Sequence, residues 1–355
     1  MMGKNLKMVS YVLFGRGVFE ELGGILTERR KETESYILLL VDDVFRERPL
    51  GTRLPIENGD LLIWVNVDEE PTTRYVDELT GKVKEFSKWP PGAVIGIGGG
   101  STMDLAKAVS VMLENPGSSA EYQGWDLVTH PAIYHMGIPT LSGTGAEVSR
   151  TAVLCGPERK LGINSNYTVF DQILLDPELL VGVSSDQRFY TGMDCYIHCV
   201  ESLKGTYLNA FSRSFAQKAL SLCLEVFLEN GKEDSKLMMG SYLGGLSIAY
   251  SQVGICHALS YGLSYILGIH HGIGNCIVFN QLQEFYPDIM PEFHNMMEKS
   301  DISLPQNIVM PVEKKKLERV IDVALTLDPL WDNALGPGWK QIMTREKIRS
   351  LFLRM

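Results

Sequence analysis

The sequence predicts an α/β domain with a parallel sheet, followed by an all-α domain. Three observations carry this: unbroken apolar runs of strand length in the first half, a glycine-rich loop ending one of them, and the loss of β-type runs after about residue 183. A strand covered by helices on both faces is apolar at every position rather than at alternate ones. Residues 36–41, 61–67 and 93–97 read this way, and 136–140 reads as a fourth, shorter run. Helical stretches at 74–87 and 102–113 lie between them and complete the α/β alternation.

In the second half, Ser184 and Gln187 read as the N-cap and N3 positions of a capping box. Phe189, Met193, Ile197 and Val200 then recur at helical spacing, and Gly205 reads as a C′ stop. Further helices are expected at 208–229, 235–266 with glycine interruptions, 312–327 and 344–354, the last capped by Thr344. The expected domains are therefore 1–180, α/β, and 181–355, helical.

Composition narrows the function. A chain of 355 residues suits two cores, and 45% hydrophobic with 21% charged residues is a globular composition. A net charge of −10 argues against nucleic acid or an anionic membrane as partner, so an anionic substrate needs a local basic pocket. The apolar runs are too short to span a bilayer, and no export signal is read at the N-terminus. The six cysteines form no CxxC pair; they are read as reduced and the compartment as cytoplasm.

Gly98-Gly99-Gly100-Ser101 runs from the third strand into a helix. Glycines admit a ligand close to the backbone, and the first helical amides point at it, which suits a pyrophosphate. The alternative is a glycine turn that merely closes a strand–helix connection. Asp42-Asp43 ends an earlier strand, where a carboxylate can bind a ribose hydroxyl. A Rossmann acid follows its glycines by about 20 residues; here it precedes them, so the unit is not a standard one. Thr140, Ser142 and Thr144 lie in a further small-residue loop that either binds a phosphate or ribose or caps a helix.

Asp194 and His198 are four apart on a predicted helix and share a face that Glu201 continues. That spacing can grip a cation or merely make a surface hydrogen bond. His257 sits among apolar neighbours, and His271 follows 14 residues later. On one straight helix the two would be about 21 Å apart. The glycines at 268 and 272 supply a break that returns His271 toward His257. One Asp and three His suit Zn²⁺ or Fe²⁺ better than Mg²⁺ or Ca²⁺.

Taken together, GGGSTMDLAK, PTLSGTGAE, Asp194-x3-His198-x2-Glu201, His257 and His271-Gly272-x2-Asn275 resemble the iron-containing alcohol dehydrogenases, relatives of glycerol dehydrogenase and dehydroquinate synthase. The motifs run in order along nearly the whole chain. The resemblance implies a dehydroquinate synthase-like fold and a divalent metal (Fe, Zn, Co or Mn) on Asp194, His198, His257 and His271. It implies NAD(P) lined by Gly98, Gly99, Gly100, Ser101, Thr140, Ser142, Thr144 and Lys160, with Asp43 on the ribose. It also implies a homodimer. Segments such as NPGSSAEYQGWDL, SRTAVLCGPERKLG and FYTGMDCYIHCVES are similar to the subgroup acting on 3-deoxy-D-manno-octulosonate (Kdo). Those enzymes oxidise the C8 hydroxyl of this acidic sugar to an aldehyde. A PLP-dependent aminotransferase then makes 8-amino-Kdo for lipopolysaccharide.

The chain departs from the family at two places. Family members usually carry a histidine four residues after the first core-helix ligand, and Tyr261 stands there. Tyrosine is a poorer base than histidine, with a reference pKa near 10, but it can hydrogen-bond a sugar hydroxyl. Tyr261 and His270 are the candidate catalytic groups. The family's PTTxGTGSE loop appears as PTLSGTGAE, two hydroxyls poorer. Arg150 is a candidate for the sugar carboxylate.

Overall fold

The structure, a computed structural model, describes residues 6–229 and 233–355. The strands are β1 (Tyr11–Phe14), β2 (Ile37–Asp42), β3 (Leu61–Val65), β4 (Ala93–Gly98), β5 (Gly124–Trp125), β6 (His135–Pro139), β7 (Thr151–Cys155), β8 (Lys160–Asn164) and β9 (Gln172–Leu175). The helices are α1 (Leu22–Thr33), α2 (Pro49–Thr52), α3 (Thr73–Phe86), α4 (Gly100–Met112), α5 (Ser185–Lys204), α6 (Ala210–Leu228), α7 (Asp234–Tyr250), α8 (Ile255–Leu267), α9 (His271–Phe279), α10 (Met290–Lys299), α11 (Lys314–Leu325), α12 (Asp328–Leu335) and α13 (Arg345–Phe352). These elements divide into an α/β unit, up to Leu141 plus Ala146–Val181, and a helical unit, Ser142–Gly145 plus Gly182–Met355. The loop 142–145, expected with the first domain, thus groups with the helices.

In the α/β unit, six strands lie in the order β1-β9-β6-β4-β2-β3, and every neighbouring pair is parallel. The register sets Leu38 beside Val94 and Val41 beside Ile97. Ile37 to Val41 and Ala93 to Gly98 are buried at every position, as their unbroken apolar runs require. Each such Leu, Ile or Val contributes about 1.5–3 kcal/mol of burial. A separate sheet, β5-β8-β7, pairs β7 and β8 antiparallel.

The sequence reading did not include α1, and its composition explains why. Only Leu22 and Leu26 of its twelve residues are buried, and two glycines and a charged run blur the helical period. The expected helix 235–266 divides into α7 and α8 at Ser251 to Gly254. Gly205 ends α5 as expected, but in extended backbone, φ −76°, rather than a left-handed cap. A Cβ there would stand 2.4 Å from Asn333 Oδ1, so close approach explains the glycine. Among the described residues no helix is long and apolar enough to cross a membrane.

The helical unit holds its own loop by glycine contacts. Gly143 N donates to Ser241 Oγ of α7 at 2.8 Å. Gly145 has φ +64°, and a Cβ on it would meet Gly245 Cα at 2.3 Å. Gly268, after α8, has φ +71° with nothing within 4 Å of an added Cβ. Gly268→Ala should therefore cost only the left-handed backbone penalty, about 1–2 kcal/mol. Gly145→Ala should cost that and an overlap besides. Urea midpoints of the two variants check this; equal losses would show that the 142–145 loop does not press on α7.

Candidate functional site

Helix α5 carries the site because it is buried almost all round. Ser184 Oγ accepts from Gln187 N at 3.3 Å, fixing its start. Phe189, Met193, Ile197 and Val200 are buried in the helical core, and Asp194, His198 and Glu201 are buried on the same helix. The left-handed Gly268 turns the chain between α8 and α9, which brings His271, the first residue of α9, back to His257 on α8. Their ring centroids are 5.3 Å apart.

The four polar side chains meet at Asp194. Its Oδ1 lies 3.4 Å from His198 Nε2, 3.3 Å from His257 Nε2 and 3.6 Å from His271 Nε2. Ligand atoms about 2.1 Å from one ion in a tetrahedron stand about 3.4 Å apart, so these separations are those of a metal-sized site. Donor atoms of Asp194, His257 and His271 all lie within 4.8 Å of one another. His198 adjoins them, its ring stacked on His257 at 4.8 Å. Asp194 Oδ2 and His198 Nδ1 are buried without hydrogen-bond partners. A buried carboxylate oxygen left orphaned is costly, and a cation would satisfy it. The residues present therefore fit a divalent ion.

The charges follow from this crowding. Burial works against ionised Asp194, but His198, His271 and His257 together hold its carboxyl well below the usual range. Burial pushes His198 down to about 4. Burial opposes charge on His257 too, but Glu201 and Asp194 on either side of it prevail and raise it to about 9. Glu201 Oε2 lies 2.6 Å from His257 Nδ1, and its Oε1 accepts from Cys256 N at 2.6 Å. Asn275 Nδ2 donates to Asp194 Oδ1 at 2.7 Å. Glu201 and Asn275 entered the sequence reading only as parts of motifs. Their partnership with the histidines needed the fold, because 56 and 18 residues separate them from His257.

Tyr261 stands beside this cluster, its ring 6.1 Å from that of His257 and 5.8 Å from that of His271. His270 does not join it. It occupies the N-cap of α9, is exposed, and is not among the groups that meet at Asp194.

In the α/β unit, β4 delivers Gly98 to Gly99, the N-cap of α4, with no side-chain cap. The amides of the first turn are thus left for a ligand. The topology explains why the acid precedes the glycines. β2 and β4 are adjacent, but β2 leads on to β3 on one side and β4 to β6 on the other. Their C-terminal ends form the topological switch point where such sheets bind ligands. Asp42 and Asp43 therefore stand beside the glycine loop, and Asp42 Cβ is 2.9 Å from where Gly98 would carry a Cβ. Asn66 Nδ2 donates to Asp43 Oδ2 at 3.2 Å. Ser101 sits in the first turn of α4. Thr140 follows β6, its N–H bonded to Gly98 O at 2.9 Å. Ser142 and Thr144 lie in the loop that groups with the helical unit, and Ser142 Oγ is buried without a partner.

Other candidates are engaged elsewhere. Lys160 is buried on β8 with its ammonium 2.9 Å from Glu70 Oε1. Arg150 pairs with Asp126, so it braces the α/β unit. The sequence reading passed over Lys107, which is fully buried and donates to the carbonyls of Ala146, Ser149 and Thr151. Asp104, one turn before it, is pushed up by burial as Lys107 is pushed down. An Asp-x-x-Lys pair inside an otherwise apolar helix was the available signal.

Known proteins resemble the chain in both halves. Residues 10–177 match the iron-containing alcohol dehydrogenase family, and residues 188–331 match the C-terminal part of the Fe-containing alcohol dehydrogenase family. A sulfoacetaldehyde reductase of Bilophila wadsworthia is 31% identical over 235 residues, 64% of this chain and 60% of that protein's own length. An iron-containing alcohol dehydrogenase structure from Thermotoga maritima is 25% identical with a TM-score of 0.75, covering 98% of both chains. A sulfoacetaldehyde reductase structure from Bifidobacterium kashiwanohense, in complex with NAD⁺, shares the fold at 20% identity and a TM-score of 0.77, over 99% of this chain and 98% of that one. With both halves matched to one family, this chain belongs to the iron-containing alcohol dehydrogenases.

Proposed function

We propose that the chain is a metal- and NAD(P)-dependent alcohol dehydrogenase that oxidises the C8 hydroxyl of Kdo to the aldehyde, as a Kdo 8-oxidase does. The observation that carries the chemistry is the meeting of three imidazole Nε2 atoms on the buried Asp194 carboxylate. The substrate rests on the resemblance of the 115–127, 149–162 and 189–202 segments to the Kdo-oxidising subgroup.

A divalent cation on Asp194, His198, His257 and His271 supplies a Lewis acid that acidifies an alcohol, and bound nicotinamide supplies the hydride acceptor. The chain's own residues do the rest. Asp194 offsets the cation's charge, and the apolar neighbours of α5 and α8 exclude water. Tyr261, beside two of the ligands, is placed to hydrogen-bond the reacting sugar. The glycine loop with Ser101 and the first amides of α4 hold the pyrophosphate. Asp43 binds the ribose and favours NAD over NADP, because a carboxylate repels a 2′-phosphate. The six cysteines are free thiols, in keeping with a cytoplasmic enzyme whose aldehyde passes to a PLP-dependent aminotransferase.

A second reading, a dehydrogenase for another polyol or a simple alcohol, is favoured by one observation. Arg150, the candidate for the sugar carboxylate, is already paired with Asp126. Kdo, glycerol, propanediol and butanol compared with NAD and with NADP, following NADH absorbance and hydrogen peroxide, separates the readings. The proposal expects turnover of Kdo with a preference for NAD. Turnover of the simple alcohols without Kdo would overturn the substrate.

Metal content gives an independent check. Protein purified without chelators should carry close to one divalent ion per chain. Prolonged dialysis against a strong chelator should abolish activity, with restoration by Fe²⁺, Zn²⁺, Co²⁺ or Mn²⁺. Full activity after chelation would remove the metal from the mechanism.

A homodimer is also proposed. Among the described strands β1 pairs only with β9, leaving an open edge on which Tyr11, Val12 and Phe14 are 68%, 42% and 44% exposed. An apolar edge strand attracts another strand, and its own copy is self-complementary across a two-fold axis. Val12→Lys should convert a dimer to a monomer by light scattering; an unchanged mass would place the contact elsewhere.

A further inference from the structure

We infer that Glu201 is a positioning residue that fixes the tautomer and orientation of His257, and thereby the affinity of the site for its cation. The inference rests on the metal reading above and deepens it.

Glu201 has no exposed side-chain surface. Its two oxygens divide their work at the start of α8. Oε1 accepts from Cys256 N and Oε2 faces His257 Nδ1, each at 2.6 Å. The first-turn amides of a helix lack intrahelical acceptors, and the N-cap of α8, Gly254, offers no side-chain cap. Glu201, from another helix, takes that place, and its negative charge suits the positive end of the helix. Gly254 leaves it room: a Cβ there would stand 3.2 Å from Oε1.

The consequence reaches the opposite edge of the ring. An ionised carboxylate only accepts hydrogen bonds, so His257 Nδ1 must carry a proton. In the neutral imidazole, the form that ligates a cation, Nε2 is then the nitrogen with a lone pair, and it is the nitrogen that faces Asp194, 3.3 Å away. Partners of this kind hold a ligating imidazole in one tautomer and raise its basicity. Glutamine has the same shape but one accepting oxygen. If that oxygen keeps the Cys256 N–H, its NH₂ faces Nδ1. His257 then moves its proton to Nε2 and blocks the lone pair.

The test is a chelator competition for Zn²⁺ and for Co²⁺ with the wild-type chain, Glu201→Gln, His257→Gln and the double variant. Glu201→Gln should weaken binding about 10–100-fold and alter the visible spectrum of the Co²⁺ form. In the His257→Gln background, it should add less than about threefold, because a residue acting through His257 has nothing left to act on. Equal affinities of wild type and Glu201→Gln, or the same loss in both backgrounds, would overturn the inference. A wild-type chain that takes up neither ion would instead overturn the metal reading beneath it. Should Glu201→Gln not fold, ¹⁵N spectra of the Zn²⁺-loaded wild-type imidazoles decide: a proton on Nδ1 of His257 is expected, and a bare Nδ1 refutes it.

Discussion

The buried carboxylate of Asp194 is the constraint around which the helical unit is arranged. An ionised carboxyl taken from water costs several kcal/mol unless charge and hydrogen bonds compensate it. Here three imidazoles and one amide converge on a single oxygen, and they come from α5, α8 and α9. None of these helices can shift by a turn without leaving that charge exposed to apolar neighbours. The break at Gly268, the carboxylate at the start of α8 and the position of Asn275 on α9 all serve one geometric condition. Such a cluster is poor value as a stabilising device, since apolar residues of similar volume would hold the helices at least as well. Its presence in a core is better explained by what it binds.

Much of the helical unit was legible because α5 announces itself. Ser184 caps it, Phe189 to Val200 mark its buried stripe, and the four-residue step from Asp194 to His198 follows from helical geometry. The return of His271 was legible for a different reason. A straight helix would have made two histidines useless to each other, and glycine at 268 was the available place to turn. Glu201 was less legible. A carboxylate on a helix is ordinarily solvated, and nothing local shows that this one reaches the start of a helix more than fifty residues away. His270 is a different case, because adjacency in sequence to a ligand says nothing about direction.

The α/β unit shows how far a motif can be read without its topology. The unbroken apolar runs gave a parallel sheet, but strand order is invisible to periodicity. The acid at the end of β2 looked misplaced against a Rossmann unit. It is not, because β2 and β4 are neighbours whose connections depart in opposite directions, and the physics asks only for adjacency at the carboxyl ends. The buried Lys107 belongs to the same lesson. It satisfies carbonyls of the 146–151 segment, which a helix of apolar residues could not do, and so holds that segment against α4.

Tyr261 is where the chain's own specificity is most open to physical argument. An imidazole at that position could accept a proton and hold it as a cation; a phenol has no comparable cationic form and serves chiefly as a hydrogen-bond donor and acceptor. Substituting one for the other beside the ligands moves the position from proton storage toward recognition. A recognition group of this kind discriminates mainly by what it loses. A substrate with a hydroxyl to match it gains a hydrogen bond that one lacking that hydroxyl does not. The tyrosine at 261 is thus in keeping with the hydroxyl-rich substrate proposed above.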